Sequence, residues 1–359
     1  MHSSFKITAL ALATLLLAAA APAQAQAQTQ APTQPAQRVL RLISDRTDQG
    51  TLRPMLDAFE ARSGAKVEGV FMDQGLINRL ESRPTEADLI ITKDAELLDI
   101  AAQRGLLQPI AAQLLQSVPA EFRDPGGRYI VDAYRARIIF YSKARVKPAD
   151  LGSYEDLTGP QWKGRICMRS GSHDYNLALF GQFIASFGEA KARQIISGIG
   201  ANLARTPRGN DREQARAIFE GKCDVALMNT YYHPMMADNP DQKAWADAVS
   251  VYFPSQAGKG TFIMRSAMGL TQASANRDLA QDLIAYITSR EGQQLMVDRT
   301  KQYSVLPGIK VHPLMVKLGA EQNLVDGRFK IDFIPLAQMA GQREAAIKLV
   351  NEIRFDAER

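Results

Sequence analysis

The chain has 359 residues, a formal net charge of +5, four histidines and two cysteines. Its lysines and arginines are interspersed with acidic residues, so the charge forms no stripe typical of nucleic-acid-binding proteins, and we expect no nucleic-acid partner. The few histidines and cysteines, and the absence of CxxC, HExxH and glycine-rich phosphate-loop motifs, argue against a zinc site and against a nucleotide site.

The N-terminal residues predict an export signal. Lys6 provides a positive start, residues 7–21 are apolar and rich in alanine, and small residues alternate from Ala21 to Ala25 as a signal peptidase requires. We expect a signal peptide over 1–27 and a disordered leader over 28–37. No later segment is long and apolar enough to span a bilayer, so the mature protein is expected in the periplasm.

The first part of the mature chain alternates strands with helices. About 320 residues remain after the leader, more than one hydrophobic core usually serves, so we expect two lobes. The pattern predicts strands over 39–43, 66–72 and 87–92, and helices over 51–62, 75–82 and 95–104. This order predicts an α/β lobe with a largely parallel sheet.

A second alternating set follows a long extended run over 134–141, which is expected to cross between the lobes. The later predicted strands are 165–168, 223–228, 249–253 and 261–270, and the predicted helices are 175–187, 211–219, 277–299 and 343–353. We place the N-lobe at 38–137 plus 262–310, and the C-lobe at 138–261 plus 311–359.

The two cysteines, Cys167 and Cys223, each lie in a strand-like run. Export permits a disulfide, because the extracytoplasmic environment is oxidising. A bridge between neighbouring strands and a pair of buried free thiols both remain open from the sequence.

Ligands of open α/β sheets bind beyond the carboxyl ends of the strands, which indicates residues 44–47, 169–176 and 229–233. Tyr231 and Tyr232 follow the end of a predicted strand. They would face opposite sides of a strand and diverge by about 100° on a helix, so we expect an irregular turn there. Phenolate oxygens suit a hard trivalent cation, which can displace the phenol proton.

Many ordered stretches of the chain resemble the periplasmic ferric-iron-binding proteins of ABC transporters, from Val39 to Ile353. The matching stretches include Leu56-Asp-Ala-Phe-Glu60, Gly105-Leu-Leu-Gln-Pro109, Trp162-Lys-Gly-Arg-Ile-Cys167, Asn202-Leu-Ala-Arg205 and Asn229-Thr-Tyr-Tyr232. The resemblance implies an α/β, two-lobe periplasmic binding protein of type II, transferrin-like, with strand hinges. It implies a monomeric carrier without enzymatic activity that delivers Fe(III) to an inner-membrane ABC permease and its ATPase.

The same resemblance implies a ligand set. Family tyrosines at the positions of Tyr231 and Tyr232 bind Fe(III), and in one branch a tyrosine at the position of Tyr175 joins them. A synergistic anion such as carbonate or phosphate usually completes the coordination. Three phenolates would match the charge of the ion, so the anion would need positive partners of its own.

Arginines are suited to that task because the guanidinium fork matches an oxyanion. Arg46, Arg135 and Arg137 lie at the expected cleft positions and are our candidate anion-binding residues. Arg169 and Arg205 are further candidates. The flanking His173 and His233 are expected to be solvated loop residues.

The chain departs from the family pattern at two places. Thr47 occupies the position of a frequent histidine or tyrosine ligand, so the first lobe is expected to provide no direct side-chain bond to iron. Asp45 is the fallback oxygen ligand there, and we expect it to pair with an arginine. Phe262 and Met264 stand where relatives often carry His and Asn, which removes polar groups from the expected hinge or cleft wall.

Two alternatives remain open. Loss of the first-lobe ligand favours a binding protein for a small anionic or phosphorylated solute, held by the arginines without metal. A periplasmic hydrolase or transferase with Tyr or His as base is the alternative of another class, although the sequence contains no nucleophile–base motif.

Overall fold

The structure is a computed structural model, and it describes residues 37–46, 49–339 and 341–358. The predicted signal peptide, the leader up to residue 36, and Thr47 lie outside the described residues. Within the described part, no helix is both long and apolar enough to span a membrane.

The elements alternate along the chain. The strands of the described residues are β1 (Val39–Ser44), β2 (Lys66–Phe71), β3 (Leu89–Thr92), β4 (Leu107–Gln108), β5 (Tyr129–Ser142), β6 (Ile166–Cys167), β7 (Val225–Asn229), β8 (Val249–Tyr252), β9 (Thr261–Thr271), β10 (Tyr303–Ser304) and β11 (Ile331–Asp332). The helices are α1 (Gln49–Ser63), α2 (Leu76–Ser82), α3 (Ala95–Gln103), α4 (Ala112–Gln116), α5 (Asp174–Phe187), α6 (Glu189–Ala201), α7 (Asp211–Phe219), α8 (Tyr232–Ala237), α9 (Lys243–Ala248), α10 (Arg277–Ile287), α11 (Arg290–Thr300), α12 (Pro313–Ala320), α13 (Leu336–Met339) and α14 (Gln342–Glu352).

The strands form one mixed sheet in the order β2-β1-β3-β9-β5-β7-β6. β1 is parallel to β2 and β3, as the βαβαβα pattern predicts, but β9 is antiparallel to β3. The expectation of a largely parallel sheet is therefore corrected at its inner edge. The physical reason is that β3 and β9 are not joined by the single helical crossover that makes neighbouring strands parallel, because β4 to β8 lie between them in the chain.

Two long strands, β5 and β9, connect the two parts of the sheet. The first half of β5 pairs with β9, and the residues from Arg137 onward pair with β7 and β8. Every residue of both strands is buried. The predicted extended run thus exists, although it begins at Tyr129, five residues earlier than expected.

Helix α1 packs its predicted apolar stripe into the core, where its four stripe residues are at most 2% exposed: Leu52, Met55, Leu56 and Phe59. This stripe belongs to a large hydrophobic cluster that continues through β5 to β7 and β8. A smaller cluster joins α5, α6 and α14. Residues 37–359 form one compact unit, and the exact lobe boundaries stay a prediction.

Some helices differ from the sequence pattern. The predicted helix 277–299 is broken into α10 and α11, because the Ser289 side chain accepts a hydrogen bond from the Gly292 amide and caps a new helix. Helix α6 was not predicted. It follows Gly188, whose φ of 78° ends α5.

Cys167 and Cys223 are joined by a disulfide, one of the two arrangements that the sequence leaves open. Cys167 ends β6, and Cys223 precedes β7, the parallel neighbour of β6. The bridge therefore ties the two strands that lead to the tyrosine-bearing segments.

Candidate metal site

The tandem tyrosines lie where β7 ends. Tyr231 occupies a turn in the α conformation, and Tyr232 is the first residue of the short helix α8. Their ring centroids are 4.4 Å apart, with the planes inclined by 40°. The predicted irregular turn is thus only the first turn before helix α8. The two tyrosine rings nevertheless lie side by side.

Tyr175 reaches the same place from the start of α5. The His173 ring caps this helix, because its Nδ1 accepts a hydrogen bond of 3.1 Å from the Tyr175 amide. The phenol oxygens of Tyr175 and Tyr231 are 3.2 Å apart. The Asn229 side chain lies 3.4 Å from the Tyr231 oxygen. The structure therefore brings all three predicted tyrosines together.

The three tyrosines line a cavity of about 290 Å³. Positive side chains form much of the rest of its wall: Arg46, Lys93, Arg135 and Arg212. A second cavity of about 370 Å³ shares Lys93, Arg135 and Tyr175 with the first, and Met264 lines it. Cavities of this volume can hold a metal ion together with a small anion.

Burial favours the neutral form of two of the three phenols. It raises the pKa of the Tyr231 phenol well above its usual value, and the neighbouring Tyr175 and Tyr232 add to this, while Arg135 opposes it. Burial likewise raises the pKa of Tyr232, with Asp211 as the next cause. Both phenols are therefore protonated at neutral pH, and only a bound cation would favour their ionised form.

Several guanidinium groups lie over the tyrosine rings. The Arg135, Arg137 and Arg169 carbons are 5.6, 5.7 and 5.1 Å from the centre of the Tyr175 ring. Arg212 lies 5.8 Å from the centre of the Tyr232 ring. These distances are typical of cation–π contacts, which fix the ring positions.

Arg135 and Arg46 both present buried N–H groups to the site. Arg135 is 2% exposed and donates to Ser266 through Nη1, while its Nη2 has no hydrogen-bond partner in the described residues. Arg46 forms a buried ion pair with Asp132 at 3.2 Å, and its Nη2 also has no hydrogen-bond partner there. Unpaired buried donors next to a cavity are what an anion would satisfy.

Arg137 differs from the other two predicted arginines. It is completely buried and pairs with Asp211 at 2.5 Å and with the Asn176 side chain at 2.9 Å. Asp211 also accepts from the Asn229 amide. The structure places Arg137 behind Tyr175 in a buried network rather than on the cavity wall, because a charge at this depth requires the Asp211 partner.

Two further expectations are corrected. Asp45 pairs with the Thr92 hydroxyl and the Lys93 amide rather than with an arginine, and burial raises its pKa. His233 is buried, with Nε2 3.3 Å from the Val249 carbonyl oxygen, and is not a solvated loop residue.

Sequence reasoning missed Lys93 and Arg212. Lys93 directly follows β3, so the strand-end rule that indicates the tyrosine segments also applies to it. Arg212 lies in the first turn of α7, and no local pattern distinguishes it from a surface residue. In the described ranges, no group of three His, Cys, Asp or Glu side chains could hold a metal ion.

The chain is similar to known proteins over most of its length. The chain is 33% identical over 330 residues to iron uptake protein A1 of Synechocystis sp., covering 90% of this chain and 89% of that protein. The apo ferric ion-binding protein A of Pasteurella haemolytica is 36% identical, with a TM-score of 0.81, over 89% of this chain and 99% of that one.

A Trichodesmium protein in complex with iron and citrate is 32% identical, with a TM-score of 0.80, over 88% of this chain and 99% of that one. These likenesses confirm the predicted fold class, a two-lobe α/β binding protein. Residues 85–323 match the family model described as bacterial extracellular solute-binding protein. The chain therefore belongs to the family of bacterial extracellular solute-binding proteins.

Proposed function

We propose that this protein captures Fe(III) through the phenolates of Tyr175, Tyr231 and Tyr232 and delivers it to an inner-membrane ABC permease with its ATPase. The mature protein would act in the periplasm. One observation carries the proposal: the phenol oxygens of Tyr175 and Tyr231 are 3.2 Å apart in a cavity that Tyr232 also lines.

The spacing suits adjacent ligands of one ion. Oxygen ligands of a small octahedral cation lie about 2.0–2.1 Å from it, so neighbouring oxygens are about 2.9 Å apart. A shift of a few tenths of an ångström would bring the two phenols to that separation. Three phenolates would then balance the three charges of Fe(III).

A small anion is proposed to complete the site. Arg135 is the first candidate to hold it, because its buried Nη2 borders the cavity without a hydrogen-bond partner in the described residues. Arg46 is the second candidate, because its Nη2 is also buried without a hydrogen-bond partner in the described residues. Arg137 is left out of the proposed anion site because it is completely buried against Asp211.

The names of the relatives support iron as the cargo. They are an iron uptake protein, a ferric ion-binding protein and a protein in complex with iron and citrate. Carbonate, phosphate and a carboxylate all share the oxyanion chemistry that buried guanidinium groups bind.

Absorption spectroscopy tests the proposal. Addition of Fe(III) and bicarbonate should give an orange-red phenolate-to-iron charge-transfer band. Tyr231→Phe and Tyr232→Phe should abolish or sharply weaken the band, and Tyr175→Phe should weaken it. Tyr252→Phe is the matched control, because Tyr252 lies on β8 and borders a different cavity.

The same measurement distinguishes the proposed iron carrier from a protein that binds a small anionic solute without metal. A wild-type protein that shows neither colour nor a thermal shift with iron, but that phosphate stabilises, would be a carrier of small anions.

A further inference from the structure

Four charged side chains form a connected group beside the tyrosine cavity, and we call Lys93, Asp94, Asp174 and Arg343 the charge clamp. Arg343 donates a hydrogen bond to Asp174 and lies 3.9 Å from Asp94. The Lys93 ammonium lies 3.6 Å from Asp174. All four line the cavity of about 370 Å³.

The charge clamp joins elements that belong to different hydrophobic clusters. Lys93 and Asp94 connect β3 to α3, and the buried residues of both elements lie in the larger cluster. Asp174 begins α5 and Arg343 lies in the first turn of α14, and both helices pack in the smaller cluster. Apolar packing holds each pair of residues to its own cluster, and the Lys93–Asp174 and Asp94–Arg343 ion pairs join the two clusters.

Helix α14 packs closely against α5, and this packing fixes the position of Arg343. A Cβ atom at Gly181 would lie only 3.3 Å from the Gln342 Cβ. Ala346 and Leu349 of α14 are at most 1% exposed. Arg343 and Asp174 therefore move as one body, and a separation of α3 from α5 must break the Lys93–Asp174 and Asp94–Arg343 pairs.

We propose that Arg343 and Lys93 are positioning residues for the metal site, an inference that rests on the proposed iron function. They hold Asp174, and through its peptide bond Tyr175, against the start of α3. This keeps the cavity closed over the bound ion. Neither residue is a metal ligand.

The charges and exposure of the charge clamp suit this role. Two positive and two negative groups attract one another and leave the net charge of the site unchanged. Their side chains are between 16% and 38% exposed, so salt reaches them and weakens their attraction. Retention of iron should therefore depend on ionic strength through these residues.

The test uses Lys93→Met, Arg343→Met and the double variant, with Arg193→Met as matched control. Arg193 of α6 pairs with Glu352 of α14 on the outer side of the same helix. The measurements are the charge-transfer band, the rate of iron transfer to an excess chelator at low and high NaCl, and the unfolding temperature of the iron-free protein.

Loss of either clamp residue should speed iron transfer at low salt by about two- to fivefold, as expected for a partly exposed ion pair. The double variant should lose most of the salt dependence, and Arg343→Lys should restore most of the wild-type rate. The band should shift or weaken in the Met variants, because Tyr175 is less firmly held.

Two results would overturn the role of the charge clamp. One is a transfer rate and band equal to those of wild type, and the other is an equal change in Arg193→Met, which would indicate mere loosening of α14. A wild-type protein without any band would reject the proposed iron function, and the clamp inference with it. Colour in wild type with unchanged variants would reject the clamp alone.

Discussion

Arg135 and Arg137 lie two positions apart on β5, yet their electrostatic surroundings differ. Arg137 has a buried carboxylate partner in Asp211, whereas Arg135 donates to the neutral Ser266 hydroxyl and borders the cavity. A buried guanidinium without a carboxylate is costly unless a ligand anion approaches it. The two arginines should therefore serve stability and binding respectively.

We expect Arg137→Met to lower the free energy of unfolding by about 3 kcal/mol, because Asp211 would lose its closer ionic partner and keep only Arg169, at 3.4 Å. Arg135→Met should have little effect on stability but should weaken the bicarbonate dependence of iron binding. Urea unfolding and iron titration measure the two effects. Adding Asp211→Asn to Arg137→Met should recover part of the lost stability. Equal losses of stability in Arg137→Met and Arg135→Met would contradict the division of roles between the two arginines.

Glu96 gives a pH-dependent prediction. Burial raises its pKa to about 8, Asp94 adds to this, and Arg265 and Arg343 oppose it. The folded protein thus binds this proton more tightly than the unfolded chain, so the carboxyl contributes a loss of stability as pH rises from about 4.5 to 8. The Glu96→Gln variant should not lose stability in this way, because its amide does not titrate.

The stability advantage of Glu96→Gln over wild type should therefore grow between pH 4.5 and pH 8. Denaturant unfolding of the iron-free proteins at several pH values measures it. A difference that stays constant across this window would show that Glu96 titrates as an ordinary surface carboxyl.

The sequence could place the tyrosines together but could not sort the arginines. Tyr175, Tyr231 and Tyr232 follow strand ends, and the carboxyl ends of neighbouring strands meet at one edge of a sheet. Arg135 and Arg137 share one buried strand face, and their difference depends on Asp211, which is 74 residues from Arg137. Such a distant pairing has no local signature.

Strands β6 and β7 are short parallel neighbours whose ends lead to the tyrosine segments. Only Ile166 and Cys167 pair with β7, so few ladder hydrogen bonds fix their register. The disulfide between Cys167 and Cys223 supplements that pairing across a sequence separation of 56 residues. It acts on the elements that carry the site rather than on the site itself.

Replacement of both cysteines by serine should lower the free energy of unfolding by about 4 kcal/mol in the chain-entropy estimate, because the unfolded chain gains the freedom of a long loop. Denaturant unfolding measures the change. Treatment of wild type with a reductant should reproduce it and should leave the double variant unaffected. Equal stability of oxidised and reduced wild type would contradict this expectation.

Helix and strand boundaries were predictable where an apolar period was clear. Helix α7 has the predicted limits, and α1 extends the predicted helix by two residues at its start and one at its end. The break between α10 and α11 was missed because the apolar pattern continues across Ser289, although its hydroxyl caps α11. Helix α6 was missed despite a visible stripe of Ala192, Ile195, Ile196 and Ile199.

At the scale of the whole molecule, β5 and β9 are the continuous connections between the two parts of the sheet. Both are buried along their entire length, so any closing motion must bend them within their hydrogen-bond ladders. The sequence indicated the crossing at β5 through the extended run over 134–141, and it indicated β9 as the predicted strand over 261–270. It could not indicate that the larger hydrophobic cluster continues along them, because cluster membership depends on packing between distant segments.

The disulfide also bears on when the strands that precede the tyrosines become firmly held. Thiols stay reduced in the cytoplasm and become oxidised outside it. In a cytoplasmic precursor, the two strands that precede the tyrosines would therefore not be joined by the disulfide. The exported chain would then gain the stability of the cross-link only after it has crossed the membrane, and the strands that precede the tyrosines would be most firmly held there.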